Sequence, residues 1–228
     1  MSAADPGTLL LLLLWGTLVG LDLVSFPQGL LARPLVAAAV AGWLLGDLET
    51  GLRVGAVLEL FALDVLPVGA SRYPEYGPGA IGATLLAAGQ AREGAVGVGV
   101  ALGLVVALLA GYTLDWVRHA NARHLHRLSG AVNEGSVAAI RTLQWSGLAR
   151  DAGRGAVVTA VGIILALLAQ ARLGGEVRLP PALTPVLVGV GIAAALSGAV
   201  RTAGRGRRLL WLGIGLAGGA AVVLGVRP

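Results

Sequence analysis

Two acidic residues and one amide stand in or beside long apolar stretches of the sequence. Glu59 lies in the middle of the run from Leu52 to Ala70. Asp22 lies near the end of an earlier run, and Gln28 follows a few residues later. An ionisable side chain costs about 2.5–3.5 kcal/mol at the centre of a membrane helix, so such residues are by default functional. Carboxylates and amides hydrogen-bond to hydroxyl groups, so these three are predicted to bind a polar ligand.

Glu59 needs a partner, and Arg53 is poorly placed to be one. Arg53 precedes it by six residues, which is about 240° around a helix, so the two side chains lie on different faces. The remaining partners are a backbone amide, Arg33 or a bound polar ligand. An ion pair that only fixes two helices together is the alternative for Glu59, and a position at the membrane interface is the alternative for Asp22.

A short polar and aromatic segment, Arg72 to Gly79, separates two apolar runs. Tyr73 and Tyr76 within it could stack on a sugar ring, because sugars present apolar C–H faces to aromatic rings. The alternative is an ordinary turn whose tyrosines lie at the level of the lipid headgroups. These tyrosines join the two acids and the amide as the predicted substrate-binding residues.

The sequence contains no pattern of a catalytic or metal centre. It has no cysteine and no lysine, which excludes thiolate chemistry and the Walker nucleotide-binding loop. No zinc-type spacing and no serine in a nucleophile elbow occurs. His119, His124 and His126 share one arginine-rich stretch, which is more typical of a solvated surface than of a metal site. We therefore expect a non-enzyme without cofactor or metal.

The composition points to a lipid environment. Hydrophobic residues make up 56% of the chain and charged residues only 13%, whereas soluble domains are about a quarter charged. Residues 1–94 contain eight acids and four arginines, and residues 95–228 contain four acids and thirteen arginines. Because these arginines lie between hydrophobic runs, the positive-inside rule explains them better than nucleic-acid binding does. The predicted fold is an all-α integral membrane protein.

The apolar runs predict a single membrane domain, residues 1–228, whose two halves differ. Between residues 9 and 94 the runs are short, charged or interrupted by glycine and proline, as in broken or re-entrant helices, and this region holds the predicted binding residues. Residues 95–114 predict a clean span, and residues 115–154 predict amphipathic helical pieces on the bilayer surface or on a partner. Residues 155–226 contain three further spans. The runs are 9–24, 35–46, 52–70, 79–91, 95–114, 155–171, 182–200 and 209–226.

Three neighbouring stretches carry a resemblance to a known family. They are Arg33-Pro34-Leu35-Val36-Ala37, Gly46-Asp47-Leu48-Glu49-Thr50-Gly51 and Gly55-Ala56-Val57-Leu58-Glu59-Leu60. In this pattern the chain resembles the IIC subunit of the mannose/fructose/sorbose family of the bacterial phosphotransferase system, a sugar permease component. The resemblance is good over roughly residues 15–90 and is one of layout beyond them.

The resemblance implies a multi-pass permease subunit of the bacterial cytoplasmic (inner) membrane. Such subunits form the pathway for a sugar of the mannose, fructose, sorbose or amino-sugar class together with a IID membrane subunit. A IIB protein phosphorylates the sugar with phosphate from IIA, so the complex is oligomeric and the subunit itself does no covalent chemistry. The family's membrane glutamate falls on Glu59, and an acid and an amide near its first helix fall on Asp22 and Gln28.

Two departures from the family pattern leave other functions open. Arg53 stands where members usually have an apolar residue, and Asp64 stands where glycine is common. One alternative is a regulatory or scaffold subunit of an incomplete phosphotransferase system. Another is an ion-coupled secondary transporter in which Glu59 carries a proton.

The distribution of arginines predicts that residues 115–154 and 201–208 are cytoplasmic, since ten of the seventeen arginines lie there. The chain has no native cysteine, so Ser129→Cys and Gly204→Cys can be labelled without background. We expect both to be protected from a membrane-impermeant thiol reagent in intact cells and labelled after permeabilisation. Labelling of either one in intact cells would contradict this topology.

Overall fold

The computed structural model describes residues 5–65, 72–90, 94–173 and 180–203, with seven positions between 210 and 218. Within these residues the chain forms α-helices and no strand, which confirms the all-α fold class. The helices are α1 (Pro6–Asp22), α2 (Pro34–Leu44), α3 (Leu48–Ala62), α4 (Tyr76–Ala87), α5 (Ala95–Asn133), α6 (Val137–Leu173) and α7 (Leu183–Ala203).

The helices of the N-terminal half are short, as predicted. They contain 17, 11, 15 and 12 residues, whereas about 20 are needed to cross the hydrocarbon core. In the described part of the chain, α5, α6 and α7 are each long and apolar enough to cross a membrane. The predicted span 182–200 corresponds to α7, and 155–171 lies inside α6. The predicted span 209–226 and the basic segment 201–208 lie mostly outside the described residues.

Residues 115–154 differ from the prediction of separate helical pieces. α5 runs through Leu114 and α6 runs through Arg154 without a break. No proline interrupts either segment, and the chain reverses only after Asn133, where Gly135 adopts a φ of +78°. A helix of 39 residues is about 58 Å long, roughly twice the hydrocarbon thickness, so one end of the α5–α6 hairpin projects from the bilayer.

The core of the described structure is α4, which lies between the other helices. Every residue from Gly77 to Ala87 is buried, and α4 contacts α1, α2, α3, α5 and α6. Small residues permit this: at Gly79 an added Cβ would lie 2.5 Å from the carbonyl oxygen of Gly103. A short helix wrapped entirely in protein leaves no backbone group exposed to lipid, which is the condition for non-spanning segments at membrane depth.

Glycines also allow α2 and α3 to pack at a short distance from each other. Gly42 and Gly51 face each other, and a Cβ on Gly51 would lie 2.4 Å from the Ala38 oxygen. Gly55 packs in the same way on Leu35. Gly51 and Gly55 are four residues apart, a spacing from which the sequence predicts that this face of the helix contacts a partner subunit. That expectation is wrong, because both glycines are buried inside this chain.

Asp47 closes the turn between these two helices. Its carboxylate accepts from the Thr50 amide at 3.1 Å, which caps α3, and from the Gly89 amide at 2.9 Å. Partial burial acts to raise the pKa of Asp47, but these hydrogen bonds and the charge of Arg53 outweigh it and hold the pKa below its ordinary value. The end of the α2–α3 hairpin is thus tied to the end of α4.

The contact of α1 with α6 depends on a second glycine pair, Gly20 and Gly155, whose backbones touch. We expect Gly155→Leu to destabilise the protein by about 1–3 kcal/mol, because the new side chain enters a close-packed contact. Gly153→Leu is the matched control, since Gly153 is exposed on the same helix with no atom within 4 Å of an added Cβ. Thermal denaturation in detergent measures both, and equal melting temperatures for the two variants would contradict the packing.

Candidate functional site

A cleft of about 270 Å³ opens where the α1–α2 connection meets the end of α3 and the segment before α4. It lies at the end of the bundle from which the α5–α6 hairpin projects, because Arg72 beside it pairs with Asp115 of α5 at 3.2 Å. Its lining combines polar, charged and aromatic side chains with apolar ones. The lining residues are Asp22, Leu23, Gln28, Leu30, Ala32, Arg33, Pro34, Ala62, Val65, Tyr73, Pro74, Glu75 and Tyr76.

Asp22 shapes the cleft by holding the α1–α2 connection in place. Its carboxylate is buried and accepts from the amides of Gly29 and Ala32, the latter at 2.9 Å. These bonds satisfy a buried charge at the end of α1 with backbone donors. The position is therefore not an exposed membrane interface, and both oxygens are already engaged within the chain.

Gln28 lies on the same connection with its side chain exposed in the cleft wall. Its backbone is left-handed, with a φ of 57°, and its side-chain amide donates to the Val24 carbonyl at 3.3 Å. The amide oxygen is the acceptor that this bond leaves available for another donor.

Glu59 is bonded to Arg33 and to a backbone amide, two of the three partners that remained after helix geometry excluded Arg53. The Arg33 guanidinium donates to one carboxylate oxygen, and the Leu35 amide donates to the other at 3.1 Å. Arg53 pairs instead with Glu49 on the surface of α3. Glu59 does not line the cleft itself, but Arg33 does, so Glu59 sets the position and charge balance of a lining residue.

The two predicted tyrosines take different positions. Tyr73 is buried, its hydroxyl accepts from Arg118 at 3.2 Å, and the same guanidinium lies 5.3 Å from its ring centre. Arg118 thus covers one face of that ring. Tyr76 is half-buried at the first turn of α4. All the predicted residues except Glu59 therefore meet at one cleft.

A buried ion network that the sequence analysis did not single out stands behind the cleft. Arg154 of α6 donates to both oxygens of Glu75 and, at 2.9 Å, to Asp151. It also donates to the Gly20 carbonyl of α1 at 3.1 Å, and Ser25 donates to Asp151 at 2.7 Å. The three charged side chains are at most 3% exposed.

This network joins both walls of the cleft. Glu75 lines the cleft and its own amide donates to the Ala107 carbonyl of α5 at 2.9 Å. Ser25 belongs to the α1–α2 connection that carries Gln28. One sequence signal was available: Arg154 is an arginine between two glycines at the start of an apolar run. Its partner could not be found by spacing, because Glu75 lies 79 residues away.

The cleft offers hydrogen-bond acceptors, one guanidinium and an aromatic surface, but none of its lining residues is histidine, cysteine or serine. Among the described residues no group of three metal-ligating side chains comes together. His124, one of the three histidines of the projecting hairpin, accepts from Arg150 at 2.7 Å. The arrangement can bind and orient a polar ligand.

Short buried helices, helices long and apolar enough to cross a membrane and a polar cleft between them are the features of a multi-pass membrane protein that can bind a polar ligand. The family described as "PTS system sorbose-specific iic component" (EII-Sor) matches residues 7–200. The chain belongs to this family of phosphotransferase-system IIC sugar permease components.

Individual relatives agree with the family match. The chain is 30% identical over 186 residues to the fructose permease IIC component of Bacillus subtilis, an alignment that covers 81% of this chain and 67% of the relative. It is 31% identical to the mannose-specific EIIC component of Escherichia coli over 55% of this chain and 46% of the relative. The chain therefore spans about half to two thirds of the length of these relatives.

Two solved structures share the fold. One, titled "Structure of membrane protein", aligns with a TM-score of 0.77 at 24% identity over 97% of this chain and 92% of its own. The other is the cryo-EM structure of the mannose transporter ManYZ in complex with microcin E492, with a TM-score of 0.63 at 23% identity over 99% of this chain and 92% of its own. These likenesses confirm the membrane fold.

Removal of one charge from the buried network should destabilise the protein. We expect Arg154→Gln to lower the free energy of unfolding by about 3–5 kcal/mol, because Glu75 and Asp151 would stay buried without a counter-charge. Arg53→Gln breaks the exposed pair with Glu49 and should cost less than about 1 kcal/mol. Thermal melting in detergent checks both, and similar effects of the two substitutions would contradict the assigned role of Arg154.

Proposed function

We propose that this chain is the IIC subunit of a sugar-transporting phosphotransferase system and forms the sugar pathway together with a IID membrane subunit. In this proposal a cytoplasmic IIB protein phosphorylates the sugar as it is delivered, and IIA supplies the phosphate. The sugar belongs to the class named for the relatives, which are fructose, mannose, sorbose and N-acetylgalactosamine components. Family membership supports the permease role.

The observation that carries the proposal is the composition of the cleft. A volume of about 270 Å³ is small for a drug-sized ligand but suited to one sugar. Tyr76 supplies an apolar ring face for the C–H face of a pyranose. Arg33 can donate to sugar hydroxyls, and the Gln28 amide oxygen can accept from them.

The charged residues near the cleft have supporting roles in this proposal. Glu59 fixes Arg33 through a hydrogen-bonded ion pair, and Asp22 fixes the connection that presents Gln28. A sugar hydroxyl that enters beside Arg33 can also reach the Glu59 carboxylate by partial opening of that pair. Tyr73 binds sugar only at the ring edge or at the face that Arg118 leaves uncovered.

The apolar surface that this chain leaves uncovered provides room for a IID subunit, and the polar pathway provides the reason for one. In the membrane-crossing window of α7 only 11% of the residues are buried, against 50% in α5. Lipid covers apolar surface of this kind, but a polar pathway requires protein or water on all sides. The shared fold with the ManYZ mannose transporter adds support for a wall supplied by a second subunit.

Substitution of Glu59 tests the site. We expect Glu59→Gln to lower sugar uptake at least about tenfold with unchanged membrane abundance, because hydrogen bonds to a charged group contribute about 1.5–3 kcal/mol. Glu49→Gln is the matched control, since Glu49 is an exposed acid on the same helix. Uptake of labelled mannose or fructose is measured alongside immunoblots of the membrane fraction. Loss of the protein from the membrane would support a purely structural ion pair, and full uptake would exclude Glu59 from the site.

The composition of the assay separates the proposed function from its rivals. Uptake is measured with the IID subunit present, with and without IIB and IIA. Phosphorylated sugar that accumulates only with all components supports the proposal. Proton-driven accumulation of unmodified sugar would instead identify a secondary transporter, and absence of flux with a complete set of partners would identify a regulatory subunit. Transport by the purified chain alone would refute the need for IID.

A further inference from the structure

A second cleft lies on the projecting α5–α6 hairpin, away from the first. Its volume is about 330 Å³ and it is lined by Ala120, Arg123, His124, Arg127 and Arg150. The α5 residues occupy positions i, i+3, i+4 and i+7, so they share one helix face, and Arg150 enters from α6. None of the lining residues is acidic.

The arginines of this cleft keep their positive charge uncompensated. Within the described part of the chain, neither Arg123 nor Arg127 has a hydrogen-bond or ion-pair partner. They are four residues apart on one helix, where like charges repel each other. Two neighbouring acids are already engaged, since Asp115 binds Arg72 and Asp151 binds Arg154. Glu134, seven residues beyond Arg127, forms no ion pair with it among the described residues.

Arg150 is held in place by neutral groups only. It donates to the Asn121 oxygen at 2.9 Å and to Nδ1 of His124 at 2.7 Å. A guanidinium can only donate, so Nδ1 must be the unprotonated acceptor and the proton of the ring lies on Nε2. The cleft therefore combines a guanidinium held by hydrogen bonds, two exposed guanidiniums without a partner among the described residues, and a neutral imidazole that retains one N–H donor.

From this donor set we infer that the hairpin cleft binds a phosphate monoester of a soluble molecule. A phosphate dianion offers several acceptor oxygens to planar guanidinium forks, which favours arginine over other residues at such sites. The cleft begins six residues beyond Leu114, the end of the clean apolar run, which is about 9 Å along the helix, and reaches about 20 Å at Arg127. Lipid headgroups extend only about 5–8 Å beyond the hydrocarbon, so a soluble phosphate is favoured over a phospholipid.

The position of the cleft suggests which molecule it receives. Arg118, five residues before Arg123 and so about 140° away around the helix, contacts Tyr73 at the first cleft. The two clefts therefore lie at the same end of the bundle but on different faces of α5. A sugar phosphate released from the first cleft would enter solution at the end of the bundle where this basic cleft projects. That link rests on the proposed function, whereas the binding of phosphate does not.

Calorimetric titration of the full chain in phosphatidylcholine nanodiscs tests the inference. Mannose 6-phosphate and inorganic phosphate are the probes, and mannose is the uncharged reference. We expect both phosphates to bind, and Arg127→Gln to weaken their binding at least about tenfold, because a charge-assisted hydrogen bond is lost. Arg141→Gln is the matched control, an exposed arginine on the same hairpin outside the cleft, and should change binding less than about twofold.

Several results would overturn the inference. No phosphate binding to the wild-type chain, or equal losses in Arg127→Gln and Arg141→Gln, would leave only a general basic surface. Loss of binding in nanodiscs that contain phosphatidylglycerol would show that a lipid headgroup occupies the cleft. Binding of an acidic protein such as IIB without phosphate binding would identify a protein interface instead. Arg123→Gln is the second variant if Arg127→Gln is not monodisperse. Because phosphate binding is measured without transport, failure here leaves the proposed function standing.

Discussion

Arg154 neutralises charge at the point where α1, α4 and α6 meet, and the cleft depends on that contact. One guanidinium serves Glu75, Asp151 and the Gly20 carbonyl at once. Burying a charged side chain costs free energy, and this cost is offset only when the charge has partners of good hydrogen-bond geometry. Here the partners come from three helices, so the network forms only when all three are in register. Glu75 and Ser25 then hold the two walls of the cleft at a fixed separation.

Small residues make that register possible. The Gly20–Gly155 contact brings α1 against α6 closely enough for Arg154 to reach a backbone carbonyl. Close packing also surrounds α4, whose twelve residues are too few to cross a bilayer. Its ends stay inside protein, where Ala107 and other neighbours supply hydrogen bonds. Short helices and a polar cleft at membrane depth are therefore two results of the same packing.

Much of this architecture could be predicted from local sequence. Segment length and composition indicated short helices before residue 94 and longer ones after it. The angle between Arg53 and Glu59 around a helix left Arg33 as a partner, and the structure contains that pair. The aromatic segment and the acid and amide near the first helix, which the sequence suggested as binding residues, line one cleft.

The remaining features depend on information that spacing does not contain. Arg154 and Glu75 are brought together only by the packing of three helices. Asp22 binds amides of a loop whose path is set by that packing, so its structural role is invisible in the sequence. The charge-rich residues beyond Leu114 suggested that the helix ends there. Backbone hydrogen bonds within a helix, however, form regardless of side-chain polarity. Arginine and alanine are good helix formers, and α5 continues.

Because α5 is one continuous helix, a movement of the buried bundle is carried along it to the tip of the hairpin. From Leu114 to Asn133 the helix extends about 28 Å past its apolar section, and the turn at Gly135 couples it to α6. A rigid rod of that length converts a tilt of about 10° into a displacement of about 5 Å at its tip. Any rocking of the buried bundle is therefore transmitted, and enlarged, to the far end of the hairpin. A hinge at the membrane surface would have absorbed it.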